Sequence, residues 1–463
     1  MTTIANALSH YHEKIQQAGQ LFVPDSGVDA TFEPEFTLPP TSPLLREFFS
    51  PSTIKLHELG SYGGSTLRLL DLTCNPRTRT TKTFASYVMI ARAVRHIHAT
   101  GESILLITPS SGNKGGALRD AVLRATECGL VEPEQLRIAI VLPRAGLGKL
   151  WSSPLSTSPY LRRLNPVFVA QTGGGAEVKR LTRNFAQQHS ARLWERHGLR
   201  TWHSYQLDNY RMADSIRAFV EADLLGTLQP GITRFQAQAV SSAFGLLGYD
   251  HGREVLAGMP DAAALPASQW LLVQHLGTPD LVLGHLFGND SRENLPPYRF
   301  DPTSGLYVQS QIPSFPSKTL ALDEIIDSTF YSNHPITAQA VADALHRNGG
   351  TGIVVSLQEC LERYGFIRSL LPPEGPSLPA DPRDLREWAL VMALTGVLGA
   401  IDRGIVPASS EIVVHASGCY SAADYVPVSA EEVVLAVDTK QILDRILEGC
   451  DPARNTRFPI HGN

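Results

Sequence analysis

The chain has 463 residues, with 40 Lys plus Arg against 45 Asp plus Glu and a formal net charge of −5. That balance leaves no basic footprint for nucleic acid and no polybasic patch for a membrane surface. Hydrophobic residues make up 43% and charged residues 18%, which excludes global disorder and suits one two-lobed unit or two to three smaller domains.

The five cysteines (Cys74, Cys128, Cys360, Cys419 and Cys450) are scattered and form no CxxC pair. They predict free thiols in a reducing compartment, hence a cytoplasmic protein, and disfavour a structural zinc. The amino terminus, MTTIANALSHYHEKIQQ, lacks a basic segment followed by an apolar one, so no secretory signal is expected. The longest apolar run, Trp388 to Ile401, is shorter than the roughly 20 residues that span a bilayer. No membrane partner is expected.

Taken in chain order, Leu21 to Pro51 is rich in proline and predicts an extended arm, because proline blocks regular helix and ladder. Phe84, Tyr87, Val88, Ala91 and Val94 keep helical spacing, Ser103–Thr108 reads as a buried strand, and Ala117 to Ala125 returns to helical spacing. Strands follow at Leu136–Leu142 and Pro166–Ala170, then a polar helix from about Ala176 to Arg192. Further strands are expected at Phe235–Val240, Trp270–Gln274, Gly352–Ser356 and Glu411–His415, with a helix at about Leu385 to Ile401. Strand and helix alternating throughout predict an α/β fold with parallel sheets.

Parallel sheets bind ligands at the carboxyl ends of their strands, so the strand-to-helix turns are the candidate sites. One turn reads Ser110-Ser111-Gly112-Asn113-Lys114-Gly115-Gly116, where backbone N–H groups and a helix start favour an anion. A second stretch runs through Gly63-Gly64-Ser65-Thr66-Leu67 and Asn75-Pro76 to Thr80-Thr81-Lys82-Thr83. Lys82 opens an apolar helix with no acidic neighbour, which suits either a solvated lysine or an amine kept deprotonable by burial and by the positive helix end. A third turn is Ser241-Ser242-Ala243-Phe244-Gly245-Leu246-Leu247-Gly248, and a fourth is His415-Ala416-Ser417-Gly418-Cys419. Gly173-Gly174-Gly175 reads as a joint before a helix. The histidines show no metal-ligand spacing, so no metal is assigned. No GxGxxG follows a strand, which disfavours a dinucleotide-binding oxidoreductase.

The order of these motifs resembles the fold type II pyridoxal-phosphate enzymes, threonine synthase most closely, over about residues 60 to 420. Gly63 to Leu67 and Asn75-Pro76 precede Lys82 as the family's Gly-Gly-x-Thr-Pro-Leu and Asn-Pro segments precede its lysine. Ser111-Gly112-Asn113-Lys114-Gly115 is similar to the family's Ser-Gly-Asn loop. Ser204-Tyr205-Gln206-Leu207-Asp208-Asn209-Tyr210-Arg211 is similar to its Asn-Ser-x-Asn-x-x-Arg segment. Departures are Thr81 and Thr83 beside the lysine, Lys114 in the Asn loop, and few glycines after Ser242.

The resemblance implies two open, twisted, mostly parallel α/β domains with a cofactor cleft between them. Residues 1–58 would form an arm and extension on the large domain, 59–83 and 225–463 the large domain, and 84–224 a small inserted one. It implies pyridoxal 5′-phosphate held by Lys82, which would also move the Cα proton. Asn113 would face the ring hydroxyl, Ser417 the pyridine nitrogen, and Ser241, Ser242, Ala243, Phe244 and Gly245 the phosphate. Ser111, Gly112, Lys114 and Arg211 would bind an amino-acid substrate. A neutral Ser417 does not force protonation of the ring nitrogen, which favours β- or γ-elimination or replacement over transamination. A homodimer is expected by the same analogy. The alternative is a non-catalytic protein that binds a cofactor or small anion in a regulatory or scaffolding role.

Overall fold

The computed structural model describes residues 1–22, 32–171, 174–204, 206–259, 265–330 and 332–451. It divides into two units, Met1–Ala18, Ser50–Ala85 and Leu207–Asp424 in the first, and Gly19–Phe49, Ser86–Gln206 and Tyr425–Asn463 in the second. Among the described residues no helix is long and apolar enough to cross a membrane.

The first unit is built on a seven-stranded sheet in the order Thr2–Ile4, Ile54–Tyr62, Ser65–Asp71, Glu411–Ala416, Arg234–Ala239, Ser268–His275, Gly350–Val355. The last five strands run parallel to one another, and the first two add an antiparallel edge. Both faces of the parallel strands are covered, so most of their residues are buried, the polar Arg234, Gln236 and Gln238 included. One face carries Leu67, Leu69, Phe235, Val273 and Ile353 against the Ala389–Asp402 helix. That helix is the long apolar run of the sequence, buried along nearly its whole length. On the other face, Trp270, Leu272 and Val354 pack with Leu246, Val282 and Leu345.

The second unit holds a five-stranded, all-parallel sheet in the order Val434–Ala436, Val167–Ala170, Leu136–Pro143, Ser103–Pro109, Leu199–His203. Leu105, Ile107, Val141 and Phe168 form its core with Leu181, Phe185 and Ile442. Both units are α/β with parallel-rich sheets, the fold class that the alternation predicts.

Several expectations change in detail. Gly63-Gly64 is the turn of an antiparallel hairpin, and Ser65 to Leu67 already belong to its second strand. The arm contains a helix, Pro43–Phe49, whose leading proline is tolerated because the first helical N–H needs no internal acceptor. Leu385–Glu387 is a short strand paired with Tyr420–Ser421, so the helix expected from Leu385 begins at Ala389.

The units also differ from the expected boundaries. Tyr425–Asn463 groups with the second unit, where Val434–Ala436 adds an edge strand. Leu207 to Leu224 groups with the first, because its two helices lie against the Phe244–Ala257 helix. Of the expected arm and extension, Met1–Ala18 and the residues from Ser50 lie in the first unit and Gly19–Phe49 in the second. Pro24 of the arm, Gly173 of the glycine turn and Tyr205 of the 204–211 segment lie outside the described residues.

Candidate active site

Three adjacent strands of the first unit, Ser65–Asp71, Glu411–Ala416 and Arg234–Ala239, end on the same edge of their sheet. Their carboxyl ends lead to Lys82, to Ser417 and to Ser241-Ser242 in turn, so the topology gathers residues far apart in sequence.

After Asp71 the chain makes a compact loop before Lys82. The Asn75 side chain accepts from the Arg77 N–H (3.0 Å) and donates to Thr83 Oγ1 (3.2 Å), while Thr78 and Thr83 hydroxyls share a hydrogen bond of 2.7 Å. The Asn-Pro pair is thus a structural brace for the loop. The Thr81 N–H donates to the Ser417 carbonyl (2.9 Å) and the Cys419 N–H to the Arg79 carbonyl (3.1 Å), which sets the lysine turn beside the Ser417 turn. Lys82 is the first residue of the Lys82–Thr100 helix.

The Lys82 amine makes no hydrogen bond or ion pair among the described residues. Its nitrogen stands 5.4 Å from the centre of the Tyr210 ring, which stacks on Phe244 at 4.7 Å and 13°. Burial pushes its pKa below the ordinary lysine value; the Asp214 carboxylate opposes that, Arg217 adds to it, and Glu387 opposes it. By exposed surface the residue is only half-buried, yet desolvation dominates because protein surrounds the amine end.

The Phe244–Ala257 helix begins without a side-chain cap, after Ala243 in the left-handed region (φ 52°). The N–H groups of Ser241 through Gly245 donate to no acceptor among the described residues. Ser241 Oγ accepts weakly from the Ser332 N–H (3.4 Å), and the Ser242 carbonyl accepts from Thr337 (2.7 Å). The hydroxyls of Ser242 and Ser417 are likewise unengaged among the described residues. An amine, two hydroxyls and a helix start with unengaged N–H groups form a donor set suited to an aldehyde-bearing phosphate ester, so these residues fit pyridoxal phosphate.

Gly245 and Gly248 face inward for a different reason. A Cβ on Gly245 would lie 2.5 Å from Arg217 Nη2, and one on Gly248 would lie 2.3 Å from Asp214 Cβ. Their lack of a side chain admits Asp214 and Arg217 behind the helix start. Asp214, Arg217 and Glu387 are the charged residues beside Lys82 that sequence reasoning missed. Glu387 is 1% exposed and packs on Gly418, next to Ser417. A glutamate placed directly before a long apolar run is the signal that could have found it. Arg211 pairs with Asp208 (3.4 Å) on a half-exposed helix surface.

The remaining candidates belong to the second unit. Ser110 Oγ accepts from the N–H groups of Gly112 (3.0 Å) and Gly115 (2.8 Å), closing the Ser111-Gly112-Asn113-Lys114 loop on itself. Gly112 has φ 132°, and a Cβ there would lie 2.7 Å from Lys149 Cβ, so only glycine fits. Asn113 opens the Asn113–Glu127 helix, and the Lys114 amine donates to the Ser204 carbonyl (2.9 Å).

Residues 3–450 match the model of a family described as a family of unknown function, DUF6002. The chain belongs to that family. No curated protein matches it. Among solved structures it is similar to pyridoxal-phosphate-bound threonine synthase from Brucella melitensis, at 14% identity and a TM-score of 0.49, covering 94% of this chain and 89% of that one. Threonine synthase from yeast matches at 14% identity and 0.47, covering 86% and 81%. Diaminopropionate ammonia lyase from Escherichia coli, in complex with an aminoacrylate-PLP azomethine reaction intermediate, matches at 13% and 0.47, covering 97% of each chain.

Proposed function

We propose that the chain is a pyridoxal-phosphate-dependent enzyme that eliminates or replaces an activated group at the β- or γ-carbon of an amino acid. The observation that carries this reading is the unengaged, desolvated amine of Lys82 among the ends of three adjacent parallel strands. When bound, the cofactor supplies an electron sink for the electrons released at the substrate Cα.

The protein's part follows from its own residues. Lys82 would hold the cofactor covalently, and its amine, kept short of a proton by burial, is suited to take the proton from Cα. The start of the Phe244–Ala257 helix, with Ser241 and Ser242, would bind the phosphate through N–H and O–H groups. Ser417, tied to the lysine turn through its carbonyl, would offer a neutral hydroxyl to the ring nitrogen. That neutrality supports elimination or replacement over transamination.

The test is an absorbance titration with pyridoxal phosphate. The expected result is a visible band in the wild type that is absent in Lys82→Ala, and that changes when O-phospho, O-acetyl or O-succinyl amino acids are added. A protein that stays colourless after reconstitution sinks the enzymatic reading. A band indifferent to every amino acid favours a binding role.

A further inference from the structure

We propose that Arg217 is a positioning residue for Lys82: its buried guanidinium ties the lysine turn to the two neighbouring strands and fixes a positive charge beside that turn. The inference rests on the reading of Lys82 as the cofactor lysine for its purpose, although its test needs no cofactor.

Arg217 is 1% exposed. Its Nε donates to Asp214 Oδ1 (2.9 Å), and its Nη2 forms an ion pair with the same oxygen (2.8 Å). Nη1 donates to Gln238 Oε1 (3.2 Å) and His415 Nδ1 (2.8 Å), and Nη2 to Thr81 Oγ1 (2.9 Å). Thr81 directly precedes Lys82, Gln238 lies three positions before Ser241, and His415 lies two before Ser417. One guanidinium therefore reaches all three segments that the candidate site draws on.

Every guanidinium nitrogen is engaged by protein, which leaves Arg217 a poor ligand for a phosphate and makes it a strut. Because an arginine only donates, His415 must accept at Nδ1 and carry its proton on Nε2, which donates to Gln236 Oε1 (2.8 Å). Burial, with Arg217 adding to it, holds the His415 pKa far below its usual value, so the imidazole stays neutral. The charged groups that act on Lys82 are then Asp214, Arg217 and Glu387. Asp214 and Arg217 act on the amine with opposite sign.

That opposition gives the experiment. The protein without pyridoxal phosphate is methylated with formaldehyde and a borane across a pH series. Mass spectrometry follows Lys82, with the exposed Lys440 as internal reference. Arg217→Met is expected to move the Lys82 labelling midpoint up in pH and Asp214→Asn to move it down. At a fixed pH below the midpoint, displacing the midpoint by one pH unit changes the labelling rate about tenfold. A residue that only packs would move neither midpoint, or both in one direction, and either result overturns the charge role. Asp214→Asn keeps an oxygen acceptor for Arg217 and serves as the control of opposite sign; should Arg217→Met fail to fold, Thr81→Val tests Arg217 through its tie to the lysine turn.

Thr81→Val cuts the tie but keeps the charge. It is expected to leave the midpoint in place and raise the high-pH labelling rate at least twofold; an unchanged rate overturns the positioning role. Absence of pyridoxal phosphate binding by the wild type, together with displaced midpoints in both variants, rejects the cofactor reading and leaves the role of Arg217 standing. A cofactor band with both midpoints unmoved rejects this inference alone.

Discussion

A lysine amine that lacks an acceptor and is crowded by protein holds its proton poorly, because burial penalises only the charged form. Lys82 was legible in the sequence as a lysine without an acidic neighbour at the start of an apolar helix. Its controlling partners were not, since Asp214, Arg217 and Glu387 come from segments brought near by the sheet. His203 in the second unit shows the same physics with a measurable consequence. Burial, with smaller contributions from Lys114 and Arg183, lowers its pKa to about 4. The unfolded imidazole takes its proton from about pH 6.5 downward while the folded one resists until about pH 4. Stability from this group is therefore complete above pH 6.5 and lost as pH falls through that window. His203→Gln is expected to flatten the loss, by up to about 3 kcal/mol, in denaturant midpoints compared at pH 7 and pH 4.5.

At the level of elements, the Phe244–Ala257 helix shows how one glycine pattern serves two purposes. In sequence, Gly245 and Gly248 look like part of a phosphate turn. In the structure they also open room for Asp214 and Arg217, and no spacing rule distinguishes the two uses. Gly248→Ala would drive a methyl into Asp214, whose Cβ is 2.3 Å and backbone 3.0 Å from the added atom. Overpacking against backbone costs roughly 1–3 kcal/mol, so its urea midpoint should fall without a change in slope.

The opposite end of the same sheet is tied by charge. Arg234, 0% exposed, bridges Glu221 (2.8 Å) and Glu411 (2.5 Å), joining a helix to two adjacent strands. Arg234→Met takes the buried cation from both carboxylates, leaving Glu221 only its longer pair with Arg253 (3.5 Å) and Glu411 only that with Arg68 (3.4 Å), and should cost about 3 kcal/mol. Arg234→Met combined with Glu221→Gln and Glu411→Gln should recover most of that loss in the same thermal melts.

For the whole molecule, the proposed cofactor is a stability lever as well as a chemical one. A ligand that binds only the folded state at 100 times its Kd adds about 2.7 kcal/mol. Pyridoxal phosphate should therefore raise the melting temperature of the wild type and leave Lys82→Ala nearly unmoved. An equal rise in both proteins would place the binding elsewhere. Composition and periodicity by themselves determined the α/β class, most of the parallel strands and the turns that bear Lys82, Asn113, Ser241 and Ser417. These follow from local chemistry: apolar runs seek cover on both faces, and small residues mark turns. Only the tertiary structure decided which strands are neighbours, because pairing joins residues hundreds of positions apart. It alone put Thr81, Gln238 and His415 around Arg217, and so set the charge that the Lys82 amine meets.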